Sequence, residues 1–159
     1  MMLMRQTRKN RSSIPEPSSI EWGCLRDAVG HLARRTHLIS QAAYAEAFEA
    51  FGLNSFQYGI LELASLNQFL TQRRLAELIL VDPSIVVGAI DRLEERGLIR
   101  RSRSREDRRA FFLETTDAGA EVLKELRDAG ARAEDRITAR LSASERRALL
   151  GAMRKIAGL

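Results

Sequence analysis

The stretch Leu93–Gly119, LEERGLIRRSRSREDRRAFFLETTDAG, contains a helix end, two short strands around an arginine-rich turn, and a new helix start. Gly97 is the residue best able to take the left-handed conformation that ends a helix. Leu98–Ser102 alternates as a strand does, and Ala110–Thr115 carries an apolar, aromatic run. Thr116 can cap the helix that follows. This order predicts a helix, a β-hairpin and a second helix in immediate succession.

Positive charge is concentrated in two places along the chain. Eight arginines and four acidic residues lie between positions 92 and 109, and residues 1–15 hold four basic residues and no acid. The whole chain has a net charge of only +5, so the rest of it is mildly acidic. A basic hairpin attached to a helix fits a polyanion such as DNA. A solvated surface in a chain that uses arginine freely is the alternative.

The length of 159 residues suits one domain with a real core. We expect residues 1–17 to form a disordered basic tail and residues 18–159 a single domain. The chain has one cysteine, so no internal disulfide forms and a cytoplasmic location is expected. No apolar stretch approaches the roughly 20 residues that span a bilayer. Phosphate-binding loops, metal-ligand clusters and nucleophile–base pairs are not evident, so we expect neither an enzyme nor a cofactor.

Helix start and stop signals predict six helices. The first runs from about Ser19 to Phe51, with a capping box predicted at Ser18–Glu21 and Gly52 after its end. The others are predicted to begin at Asn54 or Ser55, Thr71, Asp82, Thr116 and Ser142.

This element order predicts a mainly α protein with a small β-hairpin, an α+β fold. Residues 54–115 have the order of a winged helix-turn-helix, in which residues 82–96 form the recognition helix. The outer helices, at about 19–51 and 117–157, are amphipathic and too many for the small central core. We expect them to bury their apolar faces against a second copy in a homodimer. Folding back onto their own domain is the alternative.

Four ordered segments resemble the MarR (multiple antibiotic resistance regulator) family of transcription factors: Leu75–Glu77, Asp91–Ile99, Asp107–Ala110 and Thr116–Gly119. The resemblance covers about residues 20–157. It implies a two-fold dimer formed by the first, fifth and sixth helices, with each winged helix on one half of a pseudo-palindromic double-stranded DNA operator. Half-sites then lie about one DNA turn apart. Most such regulators are repressors, and many release DNA when a small ligand binds.

The resemblance also assigns DNA contacts in the wing. Asp107 and Arg109 match the family's Asp-x-Arg pair, in which the arginine enters the minor groove and the aspartate orients it. Arg105 and Arg108 are expected to meet phosphates or to share the groove. Arg103 completes this set.

The recognition helix departs from the family pattern, because Ile85-Val86-Val87 stands where the family has a polar Thr-x-Thr stretch. Readout of base edges through hydrogen bonds is therefore reduced. Ser84 and Arg92 remain as polar contacts. Ile85 and Val87 can touch thymine methyl groups or pack in the core, and core packing is favoured for Val86. We expect DNA shape to contribute more of the specificity than usual.

The effector is less determined by the sequence than the DNA contacts are. Cations and aromatic side chains in and after the first helix suit an organic anion, such as a phenolic acid or its coenzyme A thioester. Ion pairs within the dimer and core packing are the alternative roles for these side chains. The candidate ligand residues are Trp22, His31, Arg34, Arg35, His37, Phe56 and Tyr58.

Two other effector mechanisms are weaker. A thiol sensor would use Cys24, but the peroxide-sensing position of related regulators aligns with Gly30, and we expect a buried, inert thiol. A metal sensor would need Cys24, His31 and His37 around one ion. Cys24 and His31 would lie on one helix face, roughly 10 Å apart along its axis, which is too far for a shared metal. A non-specific or architectural DNA-binding protein is the main rival to a regulator.

Overall fold

The computed structural model describes residues 20–103 and 111–159. These form two units, one of residues 20–35 and one of the described residues from 36 onward. In the first unit, a short 3-10 helix at Gly23–Asp27 precedes the start of helix α1 (Val29–Phe48), which runs on into the second unit. Ala28 separates the two segments with an extended backbone (ψ 114°), and Gly23 has a positive φ of 52°. The prediction of one continuous helix over 19–51 is therefore wrong. No side chain caps the Gly23–Asp27 segment, which ends after five residues.

The second unit holds the remaining elements. They are α2 (Ser55–Leu66), α3 (Gln72–Ile79), α4 (Pro83–Glu95), β1 (Ile99–Arg103), β2 (Phe111–Thr115), α5 (Asp117–Ile137) and α6 (Ala143–Ala157). Each helix from α2 to α6 begins at a polar side chain that accepts a backbone N–H bond. These caps are Asn54, Thr71, Asp82, Thr116 and Ser142, which confirms the predicted starts.

The two strands form an antiparallel pair in which Ile99 lies opposite Thr115 and Arg103 opposite Phe111. The backbone N–H of Leu113 also donates to the Leu70 carbonyl at 2.9 Å, which ties the hairpin to the segment before α3. The predicted hairpin strands are confirmed. The turn that joins them, residues 104–110, lies outside the described residues.

The core of the second unit lies where α2, α3, α4 and α5 meet the inner face of the hairpin. Its largest fully buried side chains are Phe48, Ile60, Leu61, Leu75, Val86, Ile90, Leu93, Ile99, Leu113, Leu123 and Leu126. The fold is thus mainly α with a two-stranded hairpin, as the sequence predicts.

Helix α6 contributes no buried residue to that core. Leu149, Met153 and Ile156 are 40%, 47% and 75% exposed, and their spacing places them on one face of the helix. An amphipathic helix with an uncovered apolar face ordinarily packs against another surface.

Two close contacts join the elements around the hairpin. The Leu98 carbonyl accepts from the Thr116 backbone N–H at 3.1 Å, and a Cβ atom on Gly119 would lie only 2.0 Å from that carbonyl oxygen. Glycine is therefore required at the first turn of α5, where it passes the base of the wing. At the far side, the Arg96 guanidinium donates to the carbonyls of Phe51 (2.8 Å) and Gly52 (3.0 Å).

Candidate nucleic-acid interface and effector cavity

Helices α3 and α4 are joined by a tight turn in which Leu80 adopts a left-handed conformation with φ 54°. The Val81 N–H closes this turn on the Ala76 carbonyl at 3.2 Å. Asp82 then caps α4 by accepting from the backbone N–H of Ser84 at 2.8 Å and from its hydroxyl. These bonds from Ser84, side chain first, lower the pKa of Asp82. The carboxylate therefore remains ionised at the positive end of the helix dipole.

The outer face of α4 mixes polar and apolar side chains. Ser84 and Arg92 are exposed, and Ile85 and Val87 are 57% and 38% exposed. Val86 between them is fully buried, which confirms its expected place in the core. Of the three residues that depart from the family pattern, Ile85 and Val87 thus face outward and Val86 faces inward.

A charge cluster fixes the wing to the recognition helix. Arg101 of β1 donates through its two terminal nitrogens to Asp91 and Glu94 of α4, and its backbone N–H donates to Glu94 at 3.0 Å. Burial by itself lowers the pKa of Arg101, but the bonds to the two carboxylates outweigh it and the pKa is raised. Sequence reasoning missed this cluster. Its signal was the pair of acids three positions apart on a helix that leads into a basic strand.

The arginines of the hairpin region therefore have different roles. Arg96 and Arg101 bond within the protein as described above, and Arg100 pairs with Glu114 at 2.7 Å. Arg92 and Arg103 are exposed and have no ion-pair partner within residues 20–103 and 111–159, although Arg103 lies 5.8 Å from the Phe111 ring. Of the expected wing contacts, four lie outside the described residues: Arg105, Asp107, Arg108 and Arg109.

A cavity of about 680 Å³ lies in the first unit beside Trp22. The Arg35 guanidinium sits 4.7 Å from the centre of the Trp22 ring, and the His31 ring lies 5.5 Å from the same side chain. The His31 Nε2 atom is buried and has no hydrogen-bond partner in the described part of the chain. The structure therefore brings together three of the predicted ligand residues. Arg35 supplies a cation, Trp22 an aromatic wall and His31 an unpaired ring nitrogen.

The other predicted ligand residues lie elsewhere. Arg34 and His37 are exposed and do not line this cavity. In the second unit, Tyr58 packs against Phe48 with ring centroids 5.2 Å apart, and Phe56 is a half-buried neighbour of the core.

The position of Cys24 differs from the prediction. The thiol lies in the short 3-10 helix rather than in α1, and it is exposed rather than buried. Because the extended backbone at Ala28 separates the 3-10 helix from α1, Cys24 and His31 do not share one helix face.

Within the described residues, no helix is both long and apolar enough to cross a membrane.

Comparisons with known proteins agree on one family. The sequence profile of the MarR family matches residues 53–111. A protein assigned to transcriptional regulation of the hcr operon of Thauera aromatica is 32% identical over 135 residues, which cover 84% of this chain and 81% of that protein.

Solved structures extend the match over most of the chain. The transcriptional repressor CouR bound to a 23-mer DNA duplex has a TM-score of 0.81 and 31% identity, covering 87% of this chain and 98% of that chain. CouR from Rhodococcus jostii RHA1 bound to p-coumaroyl-CoA has a TM-score of 0.73 and 29% identity, covering 84% and 94%.

The helix pair α3–α4, followed by the β1–β2 hairpin, defines a winged helix-turn-helix protein of the DNA-binding class. The sequence relatives and the solved structures place it among regulators of transcription. The chain belongs to the MarR family of transcriptional regulators.

Proposed function

We propose that this regulator is a dimeric repressor that binds a pseudo-palindromic operator with α4 in the major groove and the wing in the adjacent minor groove. The observation that carries the proposal is the free outer face of α4, with exposed Ser84 and Arg92, in a fold similar to that of DNA-bound CouR. The Arg101 contacts hold that face in position without using Arg92, whereas Ser84 also bonds to Asp82 in the helix cap.

A pair of arginine variants tests the interface. Arg92→Ala should weaken binding to a duplex selected by the wild-type protein from a random-sequence pool, and should reduce the salt slope of binding by about one unit. Arg100→Ala is the matched control, because that side chain is already paired with Glu114. Fluorescence anisotropy over a range of salt concentrations measures both. A wild-type protein with equal affinity for selected and random duplexes would instead be a non-specific DNA-coating protein.

The wing assignment rests on the family resemblance and has its own test. Arg109→Ala should lower operator affinity at physiological salt while leaving the circular dichroism spectrum unchanged, because a guanidinium in a narrow minor groove is lost. Unchanged affinity would remove Arg109 from the interface.

Support for the dimer comes from the uncovered apolar face of α6. Two such faces joined around a two-fold axis would remove Leu149, Met153 and Ile156 from water. Ile156→Asp should convert the protein to a monomer in analytical ultracentrifugation and weaken operator binding, because the two half-sites are then engaged independently. Arg147→Asp, which puts the same aspartate at an exposed position of α6 outside this apolar set, should remain dimeric.

For the effector, we infer an organic anion held at the cavity that Trp22, His31 and Arg35 line. A cation stacked on an aromatic ring and an unpaired imidazole nitrogen suit a carboxylate, a phenol or a coenzyme A thioester. Trp22 is the only tryptophan in the chain, so its fluorescence reports directly on the cavity.

The effector test uses p-coumaroyl-CoA and free p-coumarate as probes. Either ligand should change the Trp22 emission and lower operator affinity. Arg35→Ala should abolish both responses, while Arg34→Ala, the exposed neighbour that does not line the cavity, should keep them. Loss of both responses in the Arg34 variant alone would refute this site.

A further inference from the structure

The recognition helix carries a shallow apolar notch formed by Ile85, Val87 and Gly88. At about 100° of rotation per residue, Gly88 lies between the two branched side chains on the outer face of α4. Ile85 and Val87 are exposed, and a Cβ atom built on Gly88 would meet no described atom within 4 Å. The bare backbone at Gly88 is therefore flanked by Ile85, about 60° away around the helix, and by Val87, about 100° away on the other side.

Polar groups near this notch are largely used within the protein. The Ser84 hydroxyl donates to the Asp82 carboxylate, and Asp91 and Glu94 accept from Arg101. The first two turns of α4 thus present few groups for hydrogen bonds to base edges. What they present instead is apolar surface beside the exposed cation of Arg92.

Gly88 has no packing role that explains it. A glycine inside a helix destabilises that helix relative to alanine, and the described surroundings leave ample room for a methyl group. Gly30, Gly59 and Gly151 have equally open surroundings, and what sets Gly88 apart is its place on the outer face of the recognition helix, where bare backbone allows DNA to approach closely.

We propose that this notch reads the C5-methyl groups of thymine in the operator. In the major groove, thymine alone presents a methyl group, and apolar side chains recognise it by contact. The inference rests on the proposed function, because it takes α4 to lie in the major groove. It names the specificity of that helix: each operator half-site contains thymine where Ile85 and Val87 meet the bases.

The test replaces thymine by deoxyuridine, which keeps every hydrogen-bonding group and removes only the methyl. In duplexes selected from a random pool, substitution at the notch-facing position should weaken wild-type binding by about fourfold per methyl, the effect of one buried apolar carbon. Ile85→Ala should no longer distinguish thymine from deoxyuridine at the position that Ile85 meets. Leu66→Ala, which removes an exposed leucine at the end of α2, should discriminate as the wild type does.

Gly88→Ala supplies a second, independent readout. The alanine variant should melt at a higher temperature than the wild type yet bind the selected duplex at least tenfold more weakly, because the added methyl covers the bare backbone. Gly59→Ala, another open helical glycine, should raise the melting temperature without changing affinity.

Each result has a distinct meaning. Equal affinity for the thymine and deoxyuridine duplexes at every half-site position overturns the methyl readout and leaves operator binding intact. A protein that selects no sequence from the pool overturns both the readout and the proposed function. Gly88→Ala with unchanged affinity overturns the notch.

Discussion

Gly119→Ala is the most decisive single substitution for the junction between the wing and α5. The added Cβ would lie 2.0 Å from the Leu98 carbonyl oxygen, 2.9 Å from its carbon and 3.0 Å from the Thr115 Cγ2 atom. A relaxed C···O contact lies near 3.3 Å, so helix and strand base must separate by more than about 1 Å. Both nearest atoms are backbone, so no side-chain rotation can relieve the contact.

The expected loss of stability follows from three contributions. Overpacking of this kind costs about 1–3 kcal/mol, and the Thr116 N–H bond to Leu98, which must stretch, contributes about 1 kcal/mol. The higher helix propensity of alanine returns at most about 1 kcal/mol. With that full return counted, we expect a net destabilisation of about 1–3 kcal/mol.

Urea unfolding followed by circular dichroism at fixed protein concentration measures this change. The matched control is Gly59→Ala in α2, where a Cβ meets nothing within 4 Å. That control should gain about 0.5–1 kcal/mol. A Gly119 variant as stable as the wild type would show that the 2.0 Å approach does not constrain the fold.

Three further predictions concern other contacts. Arg101→Gln should cost about 2 kcal/mol in urea unfolding, because two partly exposed carboxylates lose their charged partner, and should also weaken operator binding as the wing loosens. Asn54→Ala should cost about 1 kcal/mol by the same measurement, because it removes the side-chain oxygen that accepts from the Gln57 backbone N–H at 2.9 Å in the capping box. Burial, followed by the hydrogen bond to Glu134 (2.7 Å), raises the pKa of Tyr44. The contribution of Tyr44 to folding stability is complete at pH values below its unfolded pKa of about 10 and is lost as the pH rises further. Tyr44→Phe should therefore flatten the alkaline decline in stability.

The helix starts could be read from the sequence because a cap is a local event. Thr71, Thr116 and Ser142 each bond to a backbone N–H three residues later, so the signal lies within one turn. The break before Val29 was missed because hydrophobic spacing continues through it, whereas the backbone changes direction at Ala28.

The candidate site was less accessible to sequence reasoning than the fold. A count of arginines cannot separate those that bond internally from those that face outward, since the difference depends on contacts between elements. Arg96 bonds to carbonyls 44 and 45 positions earlier in the chain. By contrast, helix periodicity explains why Ile85 and Val87 are exposed and Val86 is buried, once the buried face of α4 is known.

The two hydrogen bonds from Arg96 to the carbonyls of Phe51 and Gly52 attach the end of α4 to this corner of the chain. A planar guanidinium with two bonds resists both stretching and swivelling. Helix α4 has 13 residues and is about 20 Å long, and this attachment lies at its C-terminal end. If the N-terminal end of α4 stays in place, a shift of about 1 Å at its C-terminal end tilts the helix axis by about 3°. Movement of the corner at residues 51–52 would thus change the angle of the recognition helix.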